Sequence, residues 1–435
     1  MLQSTKKVHI ISLGCVKNTV DSEIIAGGLE SAGIELVDVA EDATTIIINT
    51  CGFIGDAKQE SVEVILEAAQ LKTDGKLEEL LVAGCLSARY KKELTLEMPE
   101  VDKFFVTEDF RRIFDYIAAK PHLADDPDHR RKLLTPRHYA YLKISEGCDN
   151  VCSFCAIPLM RGKQRSRDIE SLVNEAKSLV ARGVKEMMVI GQDTTTYGWD
   201  LKPKRYLHEL LLELDQIEGL EWIRLHYAHP SHFSRKLIPV FQNAKRLLPY
   251  LDIPVQHAST NMLTSMKRGL DADGLRRLLL ELRQEIPNLK LRTSVIVGFP
   301  GETEEDFDTL LNFLEEIQFD RVGVFSYSEE EDTSGADLED DVPPELKVLR
   351  MDAVMDLQHH IAFSNNQALI GRELDIIIDS PDPDHPEQML GRSIWDAPEI
   401  DQQVIVAGVY QPGNIVKLKI DDAGAYELFA SAITK

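Results

Sequence analysis

The 435-residue sequence contains no long hydrophobic run and no signal-peptide pattern. Its longest apolar stretches, in segments such as TTIIINT and MMVIG, are far shorter than the roughly 20 residues that a membrane-spanning helix requires. The first residues, MLQSTKKVHIISLGC, lead directly into a strand pattern without a cleavage site. We therefore expect a cytoplasmic protein that makes no use of a membrane.

Basic residues are scarce relative to acidic ones. The chain has 48 Lys and Arg against 73 Asp and Glu, which gives a net charge of -25. Nucleic-acid-binding proteins usually gather Lys and Arg on one face, so this balance disfavours a dominant phosphate-binding surface. A strongly acidic chain suits a basic partner, and solubility alone is an equally good explanation of the charge.

Cysteine is rare as well, but its six residues fall into two groups of three. In the cytoplasm such residues indicate metal ligands rather than disulfides. Three thiolates leave one iron of a four-iron cluster without a protein ligand, so the count predicts two clusters, each with an open iron for chemistry. The scattered group is Cys15, Cys51 and Cys85, and the compact group is Cys148, Cys152 and Cys155.

The first part of the chain, residues 1–120, alternates strand and helix patterns. Three β-rich runs, VHIISLG, TTIIINT and ELLVAG, are each followed by a helical pattern, which predicts an open parallel α/β sheet. One cysteine of the scattered group follows each run. Because the carboxyl ends of parallel strands lie along one edge of a sheet, these cysteines can converge there. The alternative is that each is a small buried core residue.

A polar segment at 121–136 predicts a linker, and a second βα series fills residues 137–369. Six strand and helix units predict a partial (β/α)6 barrel with functional residues at the carboxyl ends of its strands. A long helix is expected at about 345–369. The candidate strands are 139–145, 184–193, 222–230, 250–258, 291–299 and 320–328.

The last part of the chain, residues 370–435, has a different character. ELDIIID, QVIVAG and NIVKLKI are short strand patterns separated by Pro, Gly and Asp turns, which predicts a small all-β barrel. From residue 371 onward there are 5 basic and 12 acidic residues, a net charge of -7. The overall prediction is an α/β protein of three domains.

The segment CDNVCSFC follows the first strand of the predicted partial barrel. Its C-x3-C-x2-C spacing is typical of radical S-adenosylmethionine (SAM) enzymes, whose three thiolates hold a 4Fe-4S cluster and whose fourth iron binds SAM. A structural zinc site would need a fourth Cys or His ligand. Such a cluster supplies the low-potential electron that converts SAM into a 5'-deoxyadenosyl radical.

Other residues near predicted strand ends are candidates for SAM binding. The sequence GQD stands where radical SAM proteins usually carry a GGE-like motif for the SAM amino group, and SVIVGFPGET resembles the strand that packs along the adenine and ribose. His257 is a further residue that can face the cavity. The predicted cofactor contacts are Gly191, Gln192, Asp193, Arg224, Gln256 and Ser294.

A series of three histidines, His226, His229 and His232, crosses a strand and a Pro-containing turn. Zinc enzymes usually present histidines four residues apart on one helical face. We therefore interpret this series as non-metal.

Taken together, these motifs resemble the radical SAM methylthiotransferase family from end to end. SLGCVKNTVDSE, NTCGFI and VAGCL resemble its auxiliary-cluster domain, and the last residues resemble its TRAM domain. The resemblance assigns the scattered cysteines to an auxiliary 4Fe-4S cluster and the compact group to the radical SAM cluster. It implies that one SAM donates the methyl group of the methylthio unit and that a second SAM yields the radical.

NTCGFIGDAKQES, PRHYAYLKISEGC, LDIPVQHAS and GRSIWDAPEID resemble the branch of the family that modifies an aspartate β-carbon in protein twelve of the small ribosomal subunit. Val16 departs from that branch, which commonly has Pro there. The expected partners are this basic ribosomal protein and an external low-potential electron donor, and nucleic acid is not required. The alternatives are a tRNA methylthiotransferase and a non-catalytic iron-sulfur electron carrier or sensor.

Overall fold

A computed structural model of the chain describes residues 6–107, 109–118 and 131–433. The chain divides into two compact units. The first unit comprises residues 1–135, 145–150 and 155–165, and the second comprises 136–144, 151–154 and 166–435. Most of the predicted linker lies outside the described residues, and the predicted domain boundaries remain predictions.

The first unit is built on an open parallel sheet of five strands in the order β2-β1-β3-β4-β5, as predicted. Its strands are β1 (Lys7–Ser12), β2 (Glu35–Leu36), β3 (Thr45–Thr50), β4 (Glu79–Gly84) and β5 (Lys103–Phe104). Its helices are α1 (Val16–Ser31), α2 (Gly55–Thr73), α3 (Cys85–Glu97), α4 (Phe110–Ala118) and the short α5 (Ile157–Arg161). The short strand β7 (Ser145–Glu146) also belongs to this unit.

The central strands of this sheet are buried along their whole length or nearly so. Every residue of β3 is buried, and five of the six residues of β4 are. Continuous runs of Ile, Leu and Val are typical of strands covered on both faces. Ile65 and Ala68 of α2 cover β3 and β4 on one side. Because the register pairs Ser12 with Asn49, and Asn49 with Ala83, the carboxyl ends of β1, β3 and β4 are level.

The second unit contains the predicted partial barrel, a six-stranded parallel sheet in the order β6-β9-β10-β11-β12-β13. Its strands are β6 (Tyr139–Lys143), β9 (Glu186–Ile190), β10 (Trp222–Leu225), β11 (Leu247–Asp252), β12 (Lys290–Val297) and β13 (Arg321–Ser326). Its helices are α6 (Ile169–Ala181), α7 (Leu207–Leu214), α8 (Leu237–Asn243), α9 (Thr260–Ser265), α10 (Ala272–Glu285), α11 (Glu304–Ile317) and α12 (Pro344–Gln367). A two-residue strand, β8 (Arg165–Ser166), precedes α6.

The fourth strand of the partial barrel ends earlier than the sequence predicts. The sequence pattern places it at 250–258, whereas β11 spans Leu247–Asp252. Pro254 has no N–H group to donate to a strand ladder, so the chain leaves the sheet before it. One isolated bridge, between Gln256 and Val295, continues the pairing beyond that point.

The C-terminal residues form a closed five-stranded barrel in the order β14-β15-β16-β18-β17. Its strands are β14 (Glu373–Pro381), β15 (Gln388–Ser393), β16 (Gln403–Ala407), β17 (Ile415–Ala423) and β18 (Glu427–Ala432). The sequence patterns identified three of these five strands. The other two, QMLGRS and ELFASA, are short of β-branched residues, which is the signal that a strand prediction uses.

Within the second unit, a buried ion-pair network joins the C-terminal barrel to the partial barrel. Glu186 of β9 pairs with Arg224 at 2.9 Å and with Arg392 at 2.6 Å. Arg392 also binds Asp379, at 2.8 Å. Apolar contacts among Trp222, Tyr250 and Ile377 also join the two barrels.

Arg224 therefore does not behave as the sequence analysis expected. Its guanidinium is fully buried, and it donates to Glu186 and to the backbone carbonyls of Ile394 and Ser393. These partners lie in the junction between the two barrels, so Arg224 is not one of the proposed SAM contacts.

Among the described residues, no helix is both long enough and apolar enough to cross a lipid bilayer.

Candidate functional site

The scattered cysteines lie at the carboxyl ends of three neighbouring strands in the first unit, as their positions in the sequence predicted. Cys15 is the N-cap residue of α1, Cys51 directly follows β3, and Cys85 is the first residue of α3, directly after β4. In doubly wound sheets, ligands bind at this edge, where the order of strands reverses. Here the reversal lies between β1 and β3.

Close backbone packing brings the segments that carry these cysteines together. A Cβ atom added to Gly14 would lie 2.6 Å from the Cβ of Cys51. One added to Gly52 would lie 2.7 Å from the backbone nitrogen of Leu86. Neither position has room for a side chain, so the glycine beside each cysteine permits the approach.

The buried thiols of this group are held neutral by their surroundings. Burial raises the pKa of the Cys51 thiol, and it raises the pKa of the Cys85 thiol to about 12. The neighbouring Cys15 raises both values further, whereas the positive charge of Arg161 opposes the increase. Since a bound metal deprotonates a coordinating thiol, three soft sulfur donors that share one site fit an iron-sulfur cluster well.

Buried polar side chains fix the backbone around these cysteines. The Ser61 hydroxyl accepts from the Cys51 N–H at 3.1 Å and donates to the Cys51 carbonyl at 2.9 Å. Asn18 donates from Nδ2 to the carbonyl of Thr50 at 2.9 Å. Ser87, which is fully buried, has no hydrogen-bond partner for its hydroxyl within the part of the chain that the structure describes. An uncommitted hydroxyl two residues after Cys85 is consistent with a bound group at this edge.

One residue that the sequence analysis missed, Arg161, lies against this site in the first unit. Its Nε donates to the sulfur of Cys85 across 3.3 Å. Its other nitrogens bind Glu146, Asp21 and the side-chain oxygen of Asn18. The signal in the sequence is a single arginine at the end of the otherwise apolar helix IPLMR.

The compact cysteine group lies in the segment between β6 and α5. Cys148 and Cys155 belong to the first unit, and Cys152 belongs to the second. The sulfur of Cys148 accepts from the backbone N–H of Asn150 at 3.4 Å. A Cβ atom added to Gly147 would lie 2.2 Å from the carbonyl oxygen of Lys163, so this cysteine too has a glycine at a close approach.

In the second unit, Cys152 is placed by its neighbours along and across the chain. Arg268 donates from Nη1 to the Cys152 sulfur at 3.2 Å, and His229 Nε2 lies 4.0 Å from the same atom. The adjacent Ser153 donates from its hydroxyl to the carbonyl of Ser265 at 2.7 Å. Cys152 is therefore held next to the end of α9.

The GQD motif follows β9 directly. Gly191 is buried and Gln192 is half-buried. Asp193 accepts a hydrogen bond from the backbone N–H of Thr195 at 2.9 Å, and its other oxygen lies 2.9 Å from Nδ1 of His232. Asp193 thus orients His232, an arrangement that the sequence did not reveal.

Two of the three histidines in the H-x2-H-x2-H series come together, and the third is separate. Possible ligand atoms of Asp193, His229 and His232 lie within 4.8 Å of one another. His226 instead lies 3.9 Å from Asp252. Nδ1 of His229 lies 2.9 Å from the hydroxyl of Ser231, and burial lowers the pKa of His229 to about 3, so its ring is neutral at physiological pH. Each clustered ring thus has a protein hydrogen-bond partner, and the non-metal interpretation stays a prediction.

Gln256 and Ser294 lie next to each other in the second unit. The backbone N–H of Gln256 donates to the carbonyl of Ser294 at 2.9 Å, and Ser294 lies on the less buried face of β12. His257, by contrast, is fully buried. Its Nδ1 accepts from the N–H of Ser259, which leaves Nε2 to donate to Glu302 at 3.0 Å. We therefore do not count His257 among the cavity-facing residues.

Three family models match successive parts of the chain. The first is the uncharacterized protein family UPF0004, over residues 7–106. The second is the radical SAM superfamily, over residues 142–314. The third is the TRAM domain, over residues 370–433. Radical SAM proteins bind a 4Fe-4S cluster and SAM, so the second match implies both cofactors.

Two solved structures share the fold at low sequence identity. The radical SAM methyltransferase TsrM from Kitasatospora setae superposes with a TM-score of 0.54 at 13% identity, over 76% of this chain and 74% of that one. The cobalamin-dependent radical SAM enzyme OxsB superposes with a TM-score of 0.53 at 12% identity, over 82% of this chain and 56% of that one. At these identities the likeness concerns the fold alone.

Several relatives match over nearly their whole length. The ribosomal protein uS12 methylthiotransferase RimO of Myxococcus xanthus is 46% identical, over 99% of this chain and 92% of its own length. The proteins of the same name from Flavobacterium psychrophilum and Bacteroides fragilis are each 44% identical, over 97% or more of both chains. The chain therefore belongs to the ribosomal protein uS12 methylthiotransferase family of radical SAM enzymes.

Proposed function

We propose that this protein transfers a methylthio group to the β-carbon of an aspartate in ribosomal protein uS12. The observation that carries the proposal is the 44–46% identity, over almost the entire chain, to relatives named for this activity. The two cysteine groups provide an independent reason, because the reaction needs one site that makes a radical and another that presents sulfur.

The proposed cofactors are two 4Fe-4S clusters and SAM. Cys148, Cys152 and Cys155 would hold the cluster that supplies the electron for SAM cleavage, and Cys15, Cys51 and Cys85 would hold the auxiliary cluster. The chain's own residues position these ligands through Ser61 and Arg161 in the first unit and through Arg268 in the second. The proposed SAM contacts are Gly191, Gln192, Asp193, Gln256 and Ser294.

The charge of the C-terminal barrel supports a protein substrate rather than tRNA. Of the few basic residues in this part of the chain, Arg392 is buried and Lys417 lies 3.7 Å from Asp375. A barrel with so few available cations gives little counterion release on a phosphate backbone. Its excess of acidic residues complements a basic ribosomal protein.

SAM cleavage consumes one electron from outside the protein, so we propose an external low-potential electron donor. Since the substrate is a ribosomal protein, we propose that the enzyme acts in the cytoplasm and that it does not require nucleic acid.

The test is to incubate the reconstituted and reduced protein with SAM and either purified uS12 or bulk tRNA. Mass spectrometry then looks for the replacement of one hydrogen by a methylthio group. The expected result is a gain on one aspartate of uS12 and none on tRNA. A gain on tRNA alone would replace this proposal with the tRNA methylthiotransferase, and a reduced protein that never cleaves SAM would point to an electron carrier or sensor.

A further inference from the structure

We infer that Arg161 is a positioning residue of the auxiliary site, where it holds Cys85 as a ligand and raises the reduction potential of the cluster that we propose there. This inference rests on the two-cluster part of the proposed function. It concerns a residue outside both cysteine groups, and all the contacts that carry it lie within the first unit.

The contact between Arg161 and Cys85 is direct and buried. Arg161 Nε donates to Cys85 Sγ across 3.3 Å, and both residues are at least 95% buried. Cys85 also packs against Ala156 and Met160 of the segment that carries Arg161. A hydrogen bond from an ionised donor to sulfur in a water-poor environment is among the stronger interactions available to a thiolate.

The guanidinium also has a fixed orientation. Nη1 donates to Glu146 at 2.9 Å, and Nη2 donates to Asp21 at 3.1 Å and to the side-chain oxygen of Asn18. Five donors in a rigid planar fork can satisfy partners on three sides at once. The single ammonium of a lysine lacks this fork, so Arg161→Lys would retain the charge without the complete set of contacts.

Charges of both signs lie near Cys85. Arg161 brings a positive charge to the sulfur, and the carboxylates of Asp21 and Glu146 bind the other two nitrogens of the same guanidinium. A positive charge and a hydrogen bond at a ligand sulfur favour the reduced, more negative form of a cluster, whereas a carboxylate disfavours it. Removal of Arg161 and removal of Asp21 should therefore shift the reduction potential in opposite directions.

A higher reduction potential at this site suits the chemistry of methylthiolation. When a carbon radical joins a methylthiolate anion, one C–S bond forms and one electron is left over. A site that presents the sulfur has to accept that electron, and a guanidinium beside one of its ligand sulfurs makes the acceptance more favourable.

The experiment uses the full chain with Cys148, Cys152 and Cys155 all changed to Ala, so that only the auxiliary cluster can assemble. After reconstitution, its midpoint potential is measured by a redox titration followed by electron paramagnetic resonance. We expect Arg161→Met to lower the reduction equilibrium constant about tenfold, which is a shift of about 59 mV for a one-electron couple. Asp21→Asn should raise the potential, and Arg161→Lys should lie between Arg161→Met and the parent.

The matched control is Arg131→Met. Arg131 forms an equally buried ion pair with Glu23, which lies on the same helix as Asp21. A purely structural role for Arg161 would reduce the iron and sulfide content of both variants and leave the potential of the assembled cluster unchanged. Equal potentials in the parent and Arg161→Met, or the same shift in Arg131→Met, would overturn the inference.

A loss of cluster assembly in Arg161→Met does not remove the test, because Asp21→Asn and Glu146→Gln both keep the arginine. Each should raise the potential, and an unchanged or lowered value in both would contradict the inference. If the triple-alanine protein that retains Arg161 assembles no cluster at all, both the two-cluster function and the inference are wrong. If the cluster assembles normally and no variant changes its reduction potential, the role of Arg161 is disproved and the two-cluster function is not affected.

Discussion

The guanidinium of Arg268 donates from Nη1 to the sulfur of Cys152 across 3.2 Å, and from Nη2 to the carbonyl of Pro254 at 2.6 Å. One arginine thus ties a cysteine of the compact group to the chain just after β11. Arg161 makes the equivalent contact with Cys85, but two carboxylates share its charge, and no carboxylate hydrogen-bonds to Arg268 among the described residues. A sulfur in each cysteine group therefore accepts a hydrogen bond from an arginine, and the two arginines differ in whether carboxylates share their charge.

We predict that Arg268→Met slows the formation of 5'-deoxyadenosine from SAM by about tenfold or more. The change removes a charge-assisted hydrogen bond to a thiolate, which is worth about 1.5–3 kcal/mol. The measurement is the initial rate of 5'-deoxyadenosine formation in the reconstituted, reduced protein. Arg277→Met on the exposed side of α10 is the control and should retain the parental rate. Equal rates for the two variants would show that Arg268 has no part in SAM cleavage.

The two cysteine groups should separate radical formation from sulfur transfer. We predict that Cys51→Ala retains 5'-deoxyadenosine formation and loses methylthiolation of uS12, because Cys51, which follows β3, belongs to the group proposed to hold the auxiliary cluster. Cys152→Ala should lose both. Chromatography of the nucleoside product and mass spectrometry of uS12 measure the two activities in one incubation. The division of work between the groups would be wrong if Cys51→Ala also abolished 5'-deoxyadenosine formation.

The sequence was sufficient for features that depend on local pattern and on topology. Continuous Ile and Val runs predicted β3 and β4, and the topology of a parallel sheet then placed Cys15, Cys51 and Cys85 at one edge. The position of each cysteine relative to its strand needed no tertiary information. For this reason the convergence of three residues far apart in the sequence could be predicted.

Contacts between distant side chains could not be predicted in the same way. Arg224 lies within the predicted strand 222–230, where a cavity-facing role was expected, but the position of its partner Ile394 depends on how the C-terminal barrel packs. Arg161 has no spacing motif, since its partners Asp21 and Cys85 are 140 and 76 residues away. Only the folded chain shows which charges share a buried site.

We predict that Arg392→Met lowers the free energy of unfolding by about 3 kcal/mol. The change leaves Asp379 without one of its ion-pair partners and deprives the fully buried Glu186 of one of its two arginines. Breaking a buried ion pair from one side is costly because the remaining charge stays in a poorly solvated place. Arg235→Met, which breaks an exposed pair with Glu281, should cost less than about 1 kcal/mol. Urea denaturation measures the free energy of unfolding of both variants. Equal losses would show that the buried ion pairs of the junction stabilise the protein no more than an exposed pair does.

The same junction should make stability depend on pH through Asp379. Burial alone would raise the pKa of this carboxyl, but hydrogen bonds from His138 and Arg392 outweigh burial and hold the pKa below its usual value of 3.8. A carboxyl whose pKa is lowered by folding stabilises the protein above its usual pKa, and this stabilisation is lost as the pH falls through the lowered value.

We therefore predict that Asp379→Asn lowers the urea midpoint at pH 5, and that its difference from the parent shrinks as the pH falls below the usual carboxyl pKa of 3.8. Below the lowered pKa both proteins carry a neutral side chain at this position, so the advantage of the parent disappears. Asp375→Asn on the same strand is the control, because Asp375 is half-exposed and lies 3.7 Å from an exposed lysine, and it should change the midpoint little at any pH. A difference between Asp379→Asn and the parent that widens towards low pH would contradict the lowered pKa, since only a raised pKa gives that sign.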